Sequence, residues 1–155
     1  MRVVIQRVSR ARVSVGGREV AAIGPGFLAL VGAAEGDGTD DVRYLAEKVA
    51  NLRIMPDADR RMNRSVLDTA GAVLVVSQFT LIAETRKGRR PSFTGAAAPA
   101  IAEPLVQEFG AALEALGVPV SHGEFGAAMD VELVNEGPVT IILDSHDRHI
   151  ARRRA

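Results

Sequence analysis

The sequence predicts an α+β fold with a mixed, largely antiparallel sheet and two main helices. Three observations carry that reading. The β-type segments outnumber the helical ones, the first of them follow one another with no helix between, and apolar residues recur at helical spacing only around 42–52 and 101–113. Strands that succeed each other without a crossover helix argue against a doubly wound parallel sheet.

In chain order, the Val- and Ile-rich residues 2–8 and 11–15 read as two strands, extended into a meander by 19–23 beyond the Gly16-Gly17 turn. Gly24-Pro25-Gly26 turns the chain again, and Phe27 to Ala33 is a buried strand. Thr39 or Asp40 can cap the helix that follows the Glu35-Gly36-Asp37-Gly38 loop. In that helix Val42, Leu45, Val49 and Leu52 share one face, with Arg43 and Lys48 off it. Residues 57–70 are polar and irregular, and Val73 to Leu81 reads as a strand buried on both faces. A basic loop runs from Arg86 to Ser92. The second helix starts near Pro99, with Ile101, Leu105, Phe109 and Leu113 in one stripe and Pro104 tolerated in its first turn. Strands 130–134 and 139–143 flank a turn from Asn135 to Pro138. Residues 146–155 are basic and without periodicity, and read as a flexible tail to a single domain spanning 1–145.

Composition narrows the function classes. A chain of 155 residues fits one domain, and 47% hydrophobic residues suffice for a core that buries about two-thirds of the surface. With 19 basic against 19 acidic side chains, whole-surface attraction to nucleic acid is not expected, and any RNA contact must come from a local patch. The absence of cysteine excludes disulfides, thiolate nucleophiles and cysteine-held metals, and fits a cytoplasmic protein. No apolar run suits a signal peptide or approaches the ~18 residues of a membrane span, so no membrane partner is expected. His146-x-x-His149 has metal-ligand spacing but no clear third ligand, and is read as no site; neither metal nor organic cofactor is expected.

Two segments place polar residues beside apolar β-type runs: Ser77-Gln78-Phe79-Thr80, and Asn135-Glu136-Gly137-Pro138-Val139-Thr140. Polar groups at strand ends, held by a rigid sheet, are a common seat of small-molecule chemistry. Gly137-Pro138 reads either as an ordinary hairpin turn or as a rigid backbone element. X-Pro is the one bond that commonly sits cis, and a glycine lets another molecule approach the main chain closely. Fixed carbonyls of that kind can test chirality without reading the side chain. Ser77 to Thr80 reads either as a strand end with Phe79 in the core or as an ester-binding site. Thr80 as nucleophile needs an adjacent base, and none of His122, His146 and His149 is near it in sequence. Backbone N–H groups of Phe79 and Thr80, or the Gln78 amide, can instead serve as oxyanion donors to an already activated ester, a contribution of about 3 kcal/mol. Arg86-Lys87-Gly88-Arg89-Arg90 reads as a solvated loop or as a phosphate clamp.

Ser77-Gln78-Phe79-Thr80 and Asn135-x-Gly137-Pro138-Val139-Thr140 resemble the two signature motifs of the D-aminoacyl-tRNA deacylases, and the likeness runs from Ile5-Gln6-Arg7-Val8 to Ile142. The resemblance implies a barrel-like sheet and a homodimer in which a cis Gly137-Pro138 enters the partner's active site and rejects L-aminoacyl esters. Asn135 belongs to that motif, and the resemblance implies that Arg7 fixes its orientation. It implies an adenosine pocket at Phe125 and Met129, which by residue type alone are core side chains. It also implies water attack assisted by the 2′-hydroxyl of the terminal adenosine, with Ser77, Gln78, Phe79 and Thr80 holding the ester. Arg86, Lys87, Arg89 and Arg90 are the expected tRNA contacts. Ala128 stands where the family commonly has an acidic residue. The expected substrates are D-aminoacyl-tRNA and glycyl-tRNA mischarged on the alanine tRNA; the partner is the acceptor end of tRNA, not DNA. The alternatives are a related deacylase for L-alanyl or threonyl-type errors on the same fold, and a noncatalytic tRNA-binding module.

Overall fold

The computed structural model describes residues 1–150. β1 (Arg2–Val15), β2 (Arg18–Ile23) and β3 (Gly26–Gly32) lead to α1 (Thr39–Asn51), the short β4 (Met55–Pro56) and β5 (Met62–Arg64), and β6 (Ala72–Ser77). α2 (Pro99–Ala115), β7 (Val120–His122) and β8 (Met129–Asp144) complete the chain.

β1 organises the sheet. The sequence pattern suggests two strands, but Ser9 and Arg10 continue it as one, because both halves pair along β8. On its other edge the first half pairs antiparallel with β3 and the second half with β2. β3–β6 and β6–β7 are parallel, so the main sheet runs β2-β1-β3-β6-β7 with β8 beside β1. The expected mixed sheet and two helices are therefore present.

The sheet curls on itself, and its two faces bury different cores. Val3, Ile5, Phe27, Val31, Val73 and Val75 pack against Leu45 and Val49 of α1 and Phe109 and Leu113 of α2. Val8, Val13, Leu28, Leu74 and Val76 form a second core inside the curl, where Met129, Val131 and Leu133 of β8 close over it. This is the barrel-like closure, and it brings the start of β8 next to the end of β7.

Several local readings need correction. Gly38, not Thr39 or Asp40, caps α1: the Asp41 carboxylate accepts the Gly38 N–H at 3.0 Å, closing the first turn from inside the helix. Ile101 is exposed at 55%, because a four-residue spacing drifts off a 3.6-residue face; the buried stripe is Ala102, Leu105, Val106, Phe109 and Leu113. Pro104 lies in the second turn of α2, which runs through it. Residues 57–70 include β5, which pairs with β4 around a turn held by the Asp57 carboxylate. At the C-terminal end, residues 146–149 of the expected tail belong to a 3-10 turn, Ser145–His149, whose Arg148 ion-pairs with Asp41 at 3.4 Å, while 151–155, with Arg152 to Arg154, lie outside the described residues. Among the described residues no helix is long and apolar enough to cross a membrane.

Candidate active site

β6 stops at Ser77, four residues before the expected end at Leu81. Gln78 N–H still donates to the Val31 carbonyl at 2.7 Å, but its φ of −147° and ψ of 81° turn the chain out of the sheet. Phe79–Ile82 then form a single 3-10 turn, closed by Leu81 N–H to Gln78 O and Ala83 N–H to Thr80 O, both at 3.2 Å. As the first residues of that turn, Phe79 and Thr80 have N–H groups with no partner inside it. Phe79 is not in the core: it is 56% exposed and meets Phe93 edge to face, with ring centroids 5.0 Å apart.

That strand end opens on a cavity of about 640 Å³. Ser77, Gln78 and Phe79 form one side of it, and Phe125 and Met129 another. The loop between β7 and β8 supplies Phe125, and the first residue of β8 supplies Met129, through the curl of the sheet. The site residues at 77–79 and 125–129 are thus brought together over some fifty residues of sequence. Phe125 and Met129 are half-buried and face this space, so the core reading of these two side chains is incomplete.

Sequence reasoning missed the segment before α2. Phe93 and Ala96 to Pro99 line the same cavity, tied to the sheet by Ala97 N–H to Ala33 O at 3.0 Å and Glu35 N–H to Gly95 O at 2.9 Å. The available signal was the run Gly95-Ala96-Ala97-Ala98: small side chains next to a strand end leave room for a ligand.

Thr80 does not line the cavity. Its hydroxyl is paired with the Gln78 side-chain amide. His122 lies at the end of β7, and among the described residues it makes no hydrogen bond to Thr80 or Ser77. A hydroxyl–imidazole pair therefore has no support in the geometry.

The second motif is built differently from the expected hairpin. β8 is one strand from Met129 to Asp144, and Glu136 to Val139 bulge out where β1 offers Arg7 alone: Gln6 pairs with Thr140 and Val8 with Asn135. The Asn135 side-chain amide ties the neck of the bulge, donating to Arg7 O at 2.9 Å and to Val139 O at 3.0 Å. Gly137-Pro138 is cis, and both residues are exposed at the tip. Arg7 is buried beneath them at 8% exposure. Its Nη1 donates to Ile54 O at 2.6 Å and its Nε to Glu136 O at 3.3 Å. Gly137 has φ +127°, and a Cβ there would lie 2.9 Å from Arg7 Nη2. Gly137 and Pro138 do not line the cavity of their own chain.

The basic residues sit on a loop pinched at its base by a bridge between Glu84 and Ser92. Arg86 is folded back on Glu84, whose carboxylate accepts from Arg86 Nε at 2.8 Å and from the Arg86 N–H at 2.7 Å. The Arg86 side-chain bond and then its N–H hold the Glu84 carboxyl below the usual range. Lys87, Arg89 and Arg90 are exposed and have no ion pair among the described residues.

The model of the D-Tyr-tRNA(Tyr) deacylase family matches residues 4–144. The chain belongs to that family. It is accordingly a hydrolase. A D-aminoacyl-tRNA deacylase of Chloroflexus aurantiacus is 57% identical over 153 residues, covering 99% of this chain and 96% of the relative. One from Thermus aquaticus is 56% identical over 148 residues, covering 96% and 97%. Among solved structures, the c-Myc DNA Unwinding Element Binding Protein superposes with a TM-score of 0.88 at 38% identity, over 93% of this chain and 98% of that one. A probable eukaryotic D-amino acid tRNA deacylase shares the fold at a TM-score of 0.76 and 17% identity, over 92% and 98%. Within the deacylase family frame, the cavity at Ser77 and the bulge at Gly137 are the two candidate working parts, and in one chain they are separate.

Proposed function

We propose that the chain hydrolyses the ester between a D-amino acid and the 3′ end of tRNA, with glycyl esters as a second substrate. The observation that carries this reading is the strand end at Ser77 opening on a cavity shared with Phe125 and Met129, in a chain of this family. The terminal adenosine occupies the cavity between Phe125 and Met129. Ser77, Gln78, Phe79 and Thr80 hold the ester at its edge. The free N–H groups of Phe79 and Thr80, at the start of the 3-10 turn, stabilise the oxyanion that forms when water attacks. The 2′-hydroxyl of the adenosine assists that water, so no side-chain base is required. A positioned ester and a prearranged oxyanion site supply the rate.

Chirality is tested by the Gly137-Pro138 tip. In a homodimer the tip of one protomer enters the cavity of its partner, which reconciles its exposure with its separation from the cavity of its own chain. Its carbonyls accept the α-ammonium and Cα–H of a D-ester and collide with an L side chain. Glycine, having no side chain, passes. Lys87, Arg89 and Arg90 contact acceptor-stem phosphates. Nothing in the path needs a metal ion.

The test is hydrolysis of D-tyrosyl-tRNA and L-tyrosyl-tRNA side by side with a metal chelator present. Release from the D-ester alone is expected. Release from both would remove the Gly137-Pro138 filter. Release from neither, with tRNA still bound, would make the chain a binding module.

A further inference from the structure

Beside the main cavity lies a second one of about 360 Å³, and the two share Ser77, Val106 and Phe125 as a common wall. The rest of its lining is Val75 of β6, Gly123, and three polar side chains from α2 and β7. Glu103 and Gln107 lie one turn apart on α2, and His122 ends β7. Gly110, the next residue on that face of α2, lets the imidazole pack closely against the helix: a Cβ at Gly110 would collide with the ring of His122. β7 fixes the other side, since His122 pairs with Val75, two residues before Ser77 on β6.

We propose that this side cavity takes the base of the nucleotide that precedes the terminal adenosine, and reads its exocyclic amine. The inference rests on the acceptor end occupying the main cavity. Phe125 is then a shared partition on which successive bases of a single strand stack, one in each space. The lining selects the kind of base. A carboxylate cannot favour a phosphate, but it accepts from an exocyclic amine, as Glu does from the N4 amine of cytosine. Gln107 and His122 add donors for the ring nitrogen and carbonyl on the same edge of the base. Cytosine, the base next to the terminal adenosine in tRNA, presents that amine. Uracil presents a carbonyl at the same ring position, which Glu103 repels. The side cavity thus gives the enzyme a base-specific hold on the acceptor end in addition to the sequence-blind phosphate contacts of the basic loop.

The experiment compares binding of the dinucleotides CpA and UpA, with adenosine monophosphate as reference, by titration of the intact protein. Wild type is expected to bind CpA about ten-fold more tightly than UpA, the discrimination that one good contact to a base edge provides. In Glu103→Ala and in Gln107→Ala the CpA:UpA ratio is expected to fall towards one. Both side chains are exposed, and the ratio is internally normalised against any general loss of folded protein. His122→Ala is expected to weaken CpA more than adenosine monophosphate. Equal binding of CpA and UpA by wild type, or a preference that survives both α2 substitutions, overturns the proposal. Failure of the acceptor-end reading shows itself differently: adenosine monophosphate would not bind at all, and both readings would fall together.

Discussion

Arg7 and Glu136 are locked together through the main chain: the buried guanidinium donates to the Glu136 carbonyl at 3.3 Å, one residue before Gly137, while its other arm holds Ile54 O at 2.6 Å. The bulge therefore rests on a rigid fork instead of floating at the surface. Arg7→Ala is expected to leave the Ile54 carbonyl without its donor, costing about 1–3 kcal/mol of stability, and to lower the D:L hydrolysis ratio by releasing the Gly137-Pro138 tip. Arg7→Lys, with a single donor group, should fall between. Urea midpoints and paired D- and L-tyrosyl-tRNA rates measure the two effects. An unchanged D:L ratio in Arg7→Ala would detach Arg7 from chirality.

Gly137 is constrained twice. Its φ of +127° suits glycine, and a Cβ would stand 2.8 Å from Val139 Cγ2 and 2.9 Å from Arg7 Nη2. Gly137→Ala is expected to cost about 1–3 kcal/mol and to displace the tip, slowing D-ester hydrolysis and relaxing rejection of L-esters. If both rates match wild type, the Gly137-Pro138 tip is not the element that tests chirality.

Thr80 lies outside the cavity and its hydroxyl is engaged by the Gln78 amide. Thr80→Ala is expected to retain D-ester hydrolysis within about ten-fold, far from the loss that follows removal of a covalent nucleophile. Single-turnover rates on a folded variant decide it. Complete inactivation would restore Thr80 as the attacking group.

The architecture was legible where periodicity and turn chemistry agree. The strand starting at Phe27, the apolar face of α1 and the start of α2 at Pro99 follow from the sequence pattern because local preference and tertiary burial point the same way. The departures share one cause: backbone hydrogen bonds made across the sheet, which no local pattern records. β1 stays continuous through Ser9 and Arg10 because β8 pairs with both halves, and β8 stays continuous through Gly137-Pro138 for the same reason. Phe79 looks like a core residue and is exposed because the strand ends two residues before it. The site was legible as two motifs, but the placement of Phe125 and Met129 opposite Ser77 depends on the curl of the sheet. The part played by Ala96 to Pro99 depends on which loop covers the strand end.

Arg2 joins the C-terminal end of β8 to the 3-10 turn at the candidate site. Its Nε and Nη2 donate to the Asp144 carboxylate at 3.1 and 2.9 Å, and its Nη1 donates to Leu81 O at 3.0 Å. Burial pushes the Asp144 carboxyl up, but the His146 N–H, the His146 imidazole and the Arg2 guanidinium outweigh it, and the net position is below the usual carboxylate range. A group depressed in the folded state contributes stability that is present above its unfolded value, near pH 4, and is lost as pH falls through the folded one. Urea midpoints are therefore expected to drop on acidification below about pH 4, and to drop less in Asp144→Asn. Arg2→Ala should also slow hydrolysis by loosening the turn at Leu81. A midpoint with the same acid dependence in Asp144→Asn as in wild type would assign the acid sensitivity to other carboxylates.

The basic loop separates its charges by role. Arg86 is committed to Glu84 at 2.7 Å, whereas Lys87, Arg89 and Arg90 project free of ion pairs among the described residues. Only a cation without an internal partner gains its full interaction on meeting a phosphate, because Arg86 must first release Glu84. Arg89→Ala and Arg90→Ala are expected to raise KM for aminoacyl-tRNA several-fold at low salt with kcat little changed. Each should reduce the slope of log affinity against log salt by about 0.7–0.9 for each phosphate contact removed. Arg86→Ala should do less to the slope and more to the loop, since it frees Glu84 at the bridge to Ser92. Affinities for uncharged tRNA measured from about 50 to 200 mM salt supply the slopes. A slope lost only with Arg86 would reverse the assignment and make the Glu84 pair a latch that opens when tRNA binds.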